Sequence, residues 1–367
     1  MRELAKAQAR SGLYAGVGIG VITYRDWPKS CLDELSDSGL EAFRAFTPKI
    51  FGTGSFLWQR IQKPPIGHWL NDFSRRTRVK NIIVHFHNAW MSGVFLPLPQ
   101  SDSINPAAVV TFHGVNKFLD RQFIRHRLHR WMAQRLVRYR ATLTSVDRAN
   151  TAVAEMILGL PAKRFQVVAN GVPPTFLEAC PHLRNSAHFT LGHIGSLIPQ
   201  KGWDIACRAV IEVAREGVPC RLIIAGAGPD EPKVRELAQT HPNVIEFRGF
   251  VPNPRENLMP ELDLLSLMSS HEGLPMSAVE ALSVGLPVVG TAVGGMAEVV
   301  VDGKTGFLVE RSVKALKEII ARLAVNRLQL RPLADASREH FREHFEISRI
   351  VENYHRIYLS ALPVHAN

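Results

Sequence analysis

Five short apolar runs between residues 189 and 291 constrain this chain more than any other feature. FTLGHIG (189–195), CRLIIAG (220–226), VIEFRG (244–249), LLSLMS (264–269) and PVVGT (287–291) each give way to a loop containing glycine or proline. Helical patterns stand between them: WDIACRAVIEVAREG, EPKVRELAQTH and PMSAVEALSVG. Such alternation predicts an α/β unit, a parallel sheet with helices on both faces. Ligands on sheets of this kind bind at the carboxyl ends of the strands. The loops at 195–202, 226–230, 249–254, 269–275 and 292–295 are therefore the places to search.

The N-terminal half follows the same logic less regularly. A helix is expected over Arg2 to Arg10 and a strand over Ala15 to Tyr24. NIIVHFHNAW (81–90) and AAVVTFHG (107–114) read as strands that end in histidine-containing loops. An amphipathic helix over about 117–140 comes next, then strands at ATLTSV (141–146) and FQVVANGV (165–172). Pro173, Pro174 and Pro181 mark a linker, so the expected division is 1–172, 173–345 and a last helix in 346–367. A chain of 367 residues has room for two cores.

Charge separates the halves further. Residues 1–170 hold 24 lysines and arginines against 11 acids, a net of +13; the remainder holds 20 against 22, a net of −2. The basic half points to an anionic partner. Cys31, Cys180, Cys207 and Cys220 show no C-x-x-C spacing and read as free thiols of a reducing cytoplasm. No apolar run reaches the ~18 residues of a membrane span. The N-terminal segment has basic residues ahead of weakly apolar ones but lacks a small-x-small cleavage site, so a signal peptide is not expected.

The chemistry concentrates in HEGLPMSAVEALSVGLPVVGTAVGGMAEVV. Glu272 lies in a loop, and Glu280 lies on the helix which that loop feeds. A helix N-terminus offers unpaired N–H groups and partial positive charge, which suit a diphosphate. Two carboxylates around such amides describe a nucleotide-sugar site, one reaching a sugar and the other a ribose. Lys201, between Gly195 and Gly202, can meet the diphosphate as a point charge.

This pattern resembles the E-x7-E retaining glycosyltransferases, family four, which have the GT-B fold of two Rossmann-like domains. IGSLIPQKGWDIA, LIIAGAGPDEPKVRELA, FRGFVP, VGGMAEVVVDGKTGFLV, HFHNAW, TFHG and VANGV carry the resemblance over nearly the whole chain. It implies that Glu280 holds the ribose hydroxyls, that Glu272 approaches the transferred sugar, and that Lys201 binds the diphosphate. The amides of Gly273 and Leu274 would face sugar and phosphates, and the base would lie on Gly249, Phe250 and Val251. Where the family usually places an arginine after Gly195, this chain has Ser196, which leaves more of the phosphate binding to Lys201. His113 matches the family's active-site histidine, and His87 and Trp90 match an acceptor-side loop. The segment 346–360 matches the helix that returns to the first domain. The family also opens with a strand and a glycine-rich turn ahead of the helix Arg2 to Arg10. Their absence predicts either a misplaced start or a lost strand.

Two other patterns point elsewhere. His340, Glu343 and His344 fit H-x-x-E-H but have no clear third ligand. Gly226-Ala-Gly228 begins a dinucleotide fingerprint that fails at Glu231. With no D-x-D present, a metal-bridged diphosphate and any cofactor are not expected. The reading is a retaining, metal-independent hexosyltransferase of bacterial surface or exopolysaccharide synthesis. Its donor would be a nucleotide diphosphate sugar and its acceptor lipid-linked or an oligosaccharide. It would be cytoplasmic and peripheral on an anionic membrane. The alternative is a non-catalytic nucleotide-sugar-binding protein. Nucleic acid is disfavoured, since no RNP-like motif or reading helix is present.

Overall fold

The computed structural model describes residues 2–14, 18–23, 41–46, 66–87, 96–102, 104–113, 123–175 and 186–362, without the side chains of 2, 18–23, 41–46, 66 and 123–129. It divides into two compact units, Met1–Val168 with Ile347–Asn367, and Ala169–Glu346.

The first unit opens with α1 (Arg2–Arg10), β1 (Gly18–Thr23) and β2 (Glu41–Phe46), then α2 (Ile66–Thr77), β3 (Asn81–Phe86) and β4 (Asn105–Phe112). α3 (Phe123–Arg138), β5 (Thr142–Ser145), α4 (Arg148–Leu158) and β6 (Phe165–Val167) follow. β1 and β2 pair with each other, and β3-β4-β5-β6 form a second sheet; every pairing is parallel. α4 has clear ends. Asp147 accepts a hydrogen bond from the Asn150 amide at 2.7 Å, and Gly159 closes the helix in the left-handed region at φ 67°.

The second unit runs β7 (Phe189–Ile194), α5 (Trp203–Arg215), β8 (Cys220–Ala225), α6 (Glu231–Thr240), β9 (Ile245–Gly249), α7 (Pro254–Asn257) and β10 (Leu264–Leu267). It continues with α8 (Met276–Ser283), β11 (Val288–Thr291), α9 (Met296–Val299), β12 (Gly306–Val309), α10 (Val313–Val325) and α11 (Leu330–His344). α12 (Ile347–Ala361) then belongs to the first unit, where it packs against α1 and β4.

The second sheet has the order β12-β11-β10-β7-β8-β9, all parallel. Phe189, Leu191, Leu222, Ile224 and Leu264 pack with Val210 and Val213 of α5 and Leu316 and Ile320 of α10 in one buried cluster. Strand order reverses between β7 and β10, which is the crevice where doubly wound sheets bind ligands. β12 extends beyond the strands expected from sequence. The helix expected at about 117–140 is helical over Phe123–Arg138 among the described residues.

Candidate functional site

In the second unit the reversal of strand order sets the loop after β7 beside the loop after β10. Lys201 comes from the first and Glu272 from the second, and they meet. Lys201 Nζ donates to Glu272 Oε1 at 2.7 Å and Oε2 at 2.8 Å. Ser269 Oγ donates to Oε1 at 2.6 Å, and Thr291 Oγ1 in turn donates to the Ser269 carbonyl. The Glu272 side chain is 8% exposed and that of Lys201 28%. A carboxylate this enclosed requires a cation and donors, and it has both.

The surrounding loops leave little room. A Cβ on Gly294 would lie 1.9 Å from the Glu272 carbonyl oxygen, and one on Gly202 would lie 2.1 Å from that of Met268. Both glycines have positive φ, 55° and 69°, so neither space nor backbone conformation admits another residue cheaply. The Gly295 amide also donates to the Gly273 carbonyl at 3.0 Å, which ties the loop before α8 to the loop before α9. Gly195 is different: nothing described lies within 4 Å of its added Cβ.

Behind the ion pair, His193 of β7 is buried, and neither ring nitrogen makes a hydrogen bond in the structure. Removal from water and then the Lys201 cation push its pKa down to about 4, and the nearby Ser266 carbonyl offsets part of this. The ring is therefore neutral and adds no charge to the crevice.

The other expected donor residues lie on the same unit. Leu274 is buried, Gly273 and Val251 are partly exposed, and Phe250 stands 77% exposed. Glu280 sits on α8 between buried Val279 and Ala281. Burial raises its pKa above the usual carboxylate range, Arg255 opposes that rise, and Glu256 adds to it. Arg255 was not anticipated from sequence, since it influences Glu280 from 25 positions away. Ser196 is exposed in the loop after β7.

In the first unit the expected residues are histidines. His113 follows β4 and His87 follows β3; His87 Nδ1 and His113 Nε2 lie 2.9 Å apart. Trp90 lies outside the described residues. Behind His87 stands His85, its ring centroid 4.0 Å away. Sequence reasoning passed over His85, although period-two alternation places it on the same face of β3 as His87. His85 Nδ1 lies 2.6 Å from Tyr358 Oη, and Nε2 lies 2.6 Å from Thr111 Oγ1. Burial is the main cause that lowers all three pKa values: His85 to about 3, His113 to about 4, and His87 well below the ordinary value. Their mutual repulsion adds to this for His85 and His87.

His340 of the H-x-x-E-H pattern packs on His344 and Phe345, at centroid distances of 4.6 and 5.5 Å. Among the described residues no group of three or more histidine, cysteine or acidic side chains is gathered for a metal.

Comparison with known proteins bears on both units. Residues 188–326 match the family model described as glycosyl transferases group 1. Escherichia coli WcaL, a glycosyltransferase assigned to colanic acid biosynthesis, is 29% identical over 193 residues, 50% of this chain and 48% of its own. The 2-deoxystreptamine glucosyltransferase of Streptomyces kanamyceticus is 32% identical over 188 residues, 47% of each chain. The match thus spans about half the length of these curated relatives. Among solved structures, Anabaena HepE in complex with UDP and glucose superposes with a TM-score of 0.72, covering 98% of this chain and 95% of its own at 20% identity. Residues 188–326 thus match the group 1 glycosyltransferase model, in a chain that has the GT-B fold.

Proposed function

We propose that the chain is a retaining glycosyltransferase that moves a hexose from a nucleotide diphosphate sugar to a lipid-linked or polysaccharide acceptor in bacterial surface polysaccharide synthesis. The observation that carries this reading is the Lys201–Glu272 pair at the point where strand order reverses. An arriving diphosphate competes with Glu272 for the Lys201 ammonium. As Lys201 turns to the phosphates, Glu272 is left with Ser269 as its donor and a free carboxylate oxygen for a sugar hydroxyl. The same cation that holds the enclosed carboxylate thus neutralises the leaving nucleotide. Electrostatic support of this kind is usually the largest catalytic contribution. Glu280 binds the ribose, and Gly249, Phe250 and Val251 carry the base. His113, as a neutral ring, supports the transferring sugar.

Support for the polysaccharide setting comes from the WcaL similarity, and support for a uridine nucleotide from the UDP bound by HepE. On this reading transfer needs no metal or other cofactor, and activity persists in EDTA. The first unit docks reversibly on an anionic cytoplasmic membrane face. Arg130, Arg138 and Trp131 are exposed on α3, and each basic residue near such a surface contributes about 1 kcal/mol. Lys117 and Arg121, which precede α3 in the sequence, lie outside the described residues. No described helix is long and apolar enough to cross a membrane.

The test is transfer from a panel of nucleotide sugars to a polyprenyl-diphosphate-linked acceptor, with the anomeric configuration of the product read by NMR. Retention is expected. Inversion refutes the mechanism, and nucleotide binding without transfer or donor hydrolysis establishes the non-catalytic alternative. Co-sedimentation should show salt-sensitive binding to anionic vesicles and none to neutral ones.

A further inference from the structure

The hydrogen bonds around His85 have a direction that can be worked out from one end. Thr144 Oγ1 lies 3.4 Å from the Val110 carbonyl, and a carbonyl only accepts, so Thr144 is the donor. Its oxygen then accepts from Thr111 Oγ1, 2.6 Å away. With the Thr111 proton used, Thr111 accepts from both its other partners, His85 Nε2 at 2.6 Å and Tyr354 Oη at 3.1 Å. His85, neutral in these surroundings, carries its proton on Nε2, and its bare Nδ1 accepts from Tyr358 Oη at 2.6 Å. The Tyr358 oxygen accepts in turn from Gln8 Nε2 at 3.0 Å, an obligate donor. Both ends of the chain, an amide NH2 and a backbone carbonyl, demand the same direction. Each proton shared along the chain from Gln8 to the Val110 carbonyl is thereby assigned.

His85 is thus held at both nitrogens by β4 and α12, and its ring backs that of His87. His87 and His113 rings are stacked, with centroids 5.2 Å apart and planes 28° from parallel. Their facing nitrogens, Nδ1 of His87 and Nε2 of His113, share one hydrogen bond. Such a bond between neutral rings holds one proton, so the protonation of one nitrogen dictates that of the other. We infer that His87 is a positioning residue: seated against the locked His85 ring, it holds His113 in a single tautomer and ring plane, and so sets what His113 Nδ1 presents.

The kinetic part of this inference rests on the glycosyl transfer proposed above; the spectroscopic part does not. Long-range 1H–15N NMR of ring-labelled protein should show one His113 tautomer, its Nε2 shifted by the hydrogen bond. In His87→Leu, His113 should revert to the mixed tautomers of free imidazole, and His87→Gln, which keeps a polar group in reach, should restore a single form. Identical His113 spectra in all three proteins overturn the inference. In the transfer assay His87→Leu should lower kcat roughly tenfold with the donor KM unchanged, the size of one net hydrogen bond. Added to His113→Ala, it should cost nothing further. An equal tenfold loss in that background marks a merely structural role and also overturns the inference. If the spectra behave as expected while wild type transfers no sugar, it is the proposed function that fails.

Discussion

At the strand-order reversal of the second unit, Lys201 and Glu272 hold each other at 2.7 Å as an ion pair. At the strand ends of the first unit, three histidines lie together and all are driven neutral, joined through hydroxyls and ring nitrogens. The difference follows from what each region could afford to bury. A single lysine among loop amides can be answered by one enclosed carboxylate. Three imidazoles in contact cannot all be charged, so they share protons instead. The first arrangement suits an anionic ligand that arrives and departs. The second suits a ring that must present one fixed face.

Glu272→Gln strikes the charged region hardest. Under the proposed function turnover should fall by ~10²–10³ with UDP affinity nearly normal, whereas Glu280→Gln should weaken UDP itself. Kinetics with calorimetry checks both, and equal activity in wild type and the two variants removes the distinction between the carboxylates.

Lys201→Ala should come next, lowering UDP affinity by about 10–100-fold, the range of a hydrogen bond to a charged group. Ser196 supplies no charge to replace it. Unchanged calorimetric affinity would break the link between the ion pair and phosphate.

Gly294→Ala tests whether the loops or the charges define the region. Placing a methyl 1.9 Å from the Glu272 carbonyl at φ 55° should cost about 1–3 kcal/mol, visible as a lowered Tm, and should displace Glu272. A Tm equal to wild type would mean the loop moves freely.

The histidines of the first unit supply a test by pH. Their folded pKa values, about 3 for His85 and about 4 for His113, lie below the ordinary 6.5, so between these limits the unfolded chain binds more protons. The stability they contribute is fully present above pH 6.5 and falls as the pH drops toward 4. The slope is on the order of 1 kcal/mol per pH unit for each histidine. Hydrogen exchange at pH 6.5 and 4.5 should show the first unit losing more protection than the second, where His193 is the comparable buried ring. Equal losses would erase the contrast.

Much of the second unit was legible because parallel strands covered on both faces are near-continuous apolar runs. β12, only GFLV with a glycine at its head, was too short to stand out. α4 was overlooked despite its Asp147 and Gly159 signals, since TAVAEMIL lacks a strong polar face. Glu272 and Lys201 were each legible from their own loops, yet their pairing joins residues 71 positions apart, and the reversal of strand order brings them together. The proton chain was beyond reach. Tyr358 and Gln8 stand 350 positions apart, and Tyr354 and Thr111 stand 243 apart. Neither tyrosine carries a local pattern that announces its partner.

The glycines at the strand ends also amount to a contour map of the second unit. Gly202, Gly226, Gly228 and Gly294 abut backbone, whereas Gly195 opens on free space among the described residues. A methyl group at Gly195 would therefore go unnoticed by the packing of the described residues and would be felt by whatever comes to rest against that loop. The position is a ruler: the largest side chain tolerated there before affinity drops measures the gap between the β7 loop and its guest.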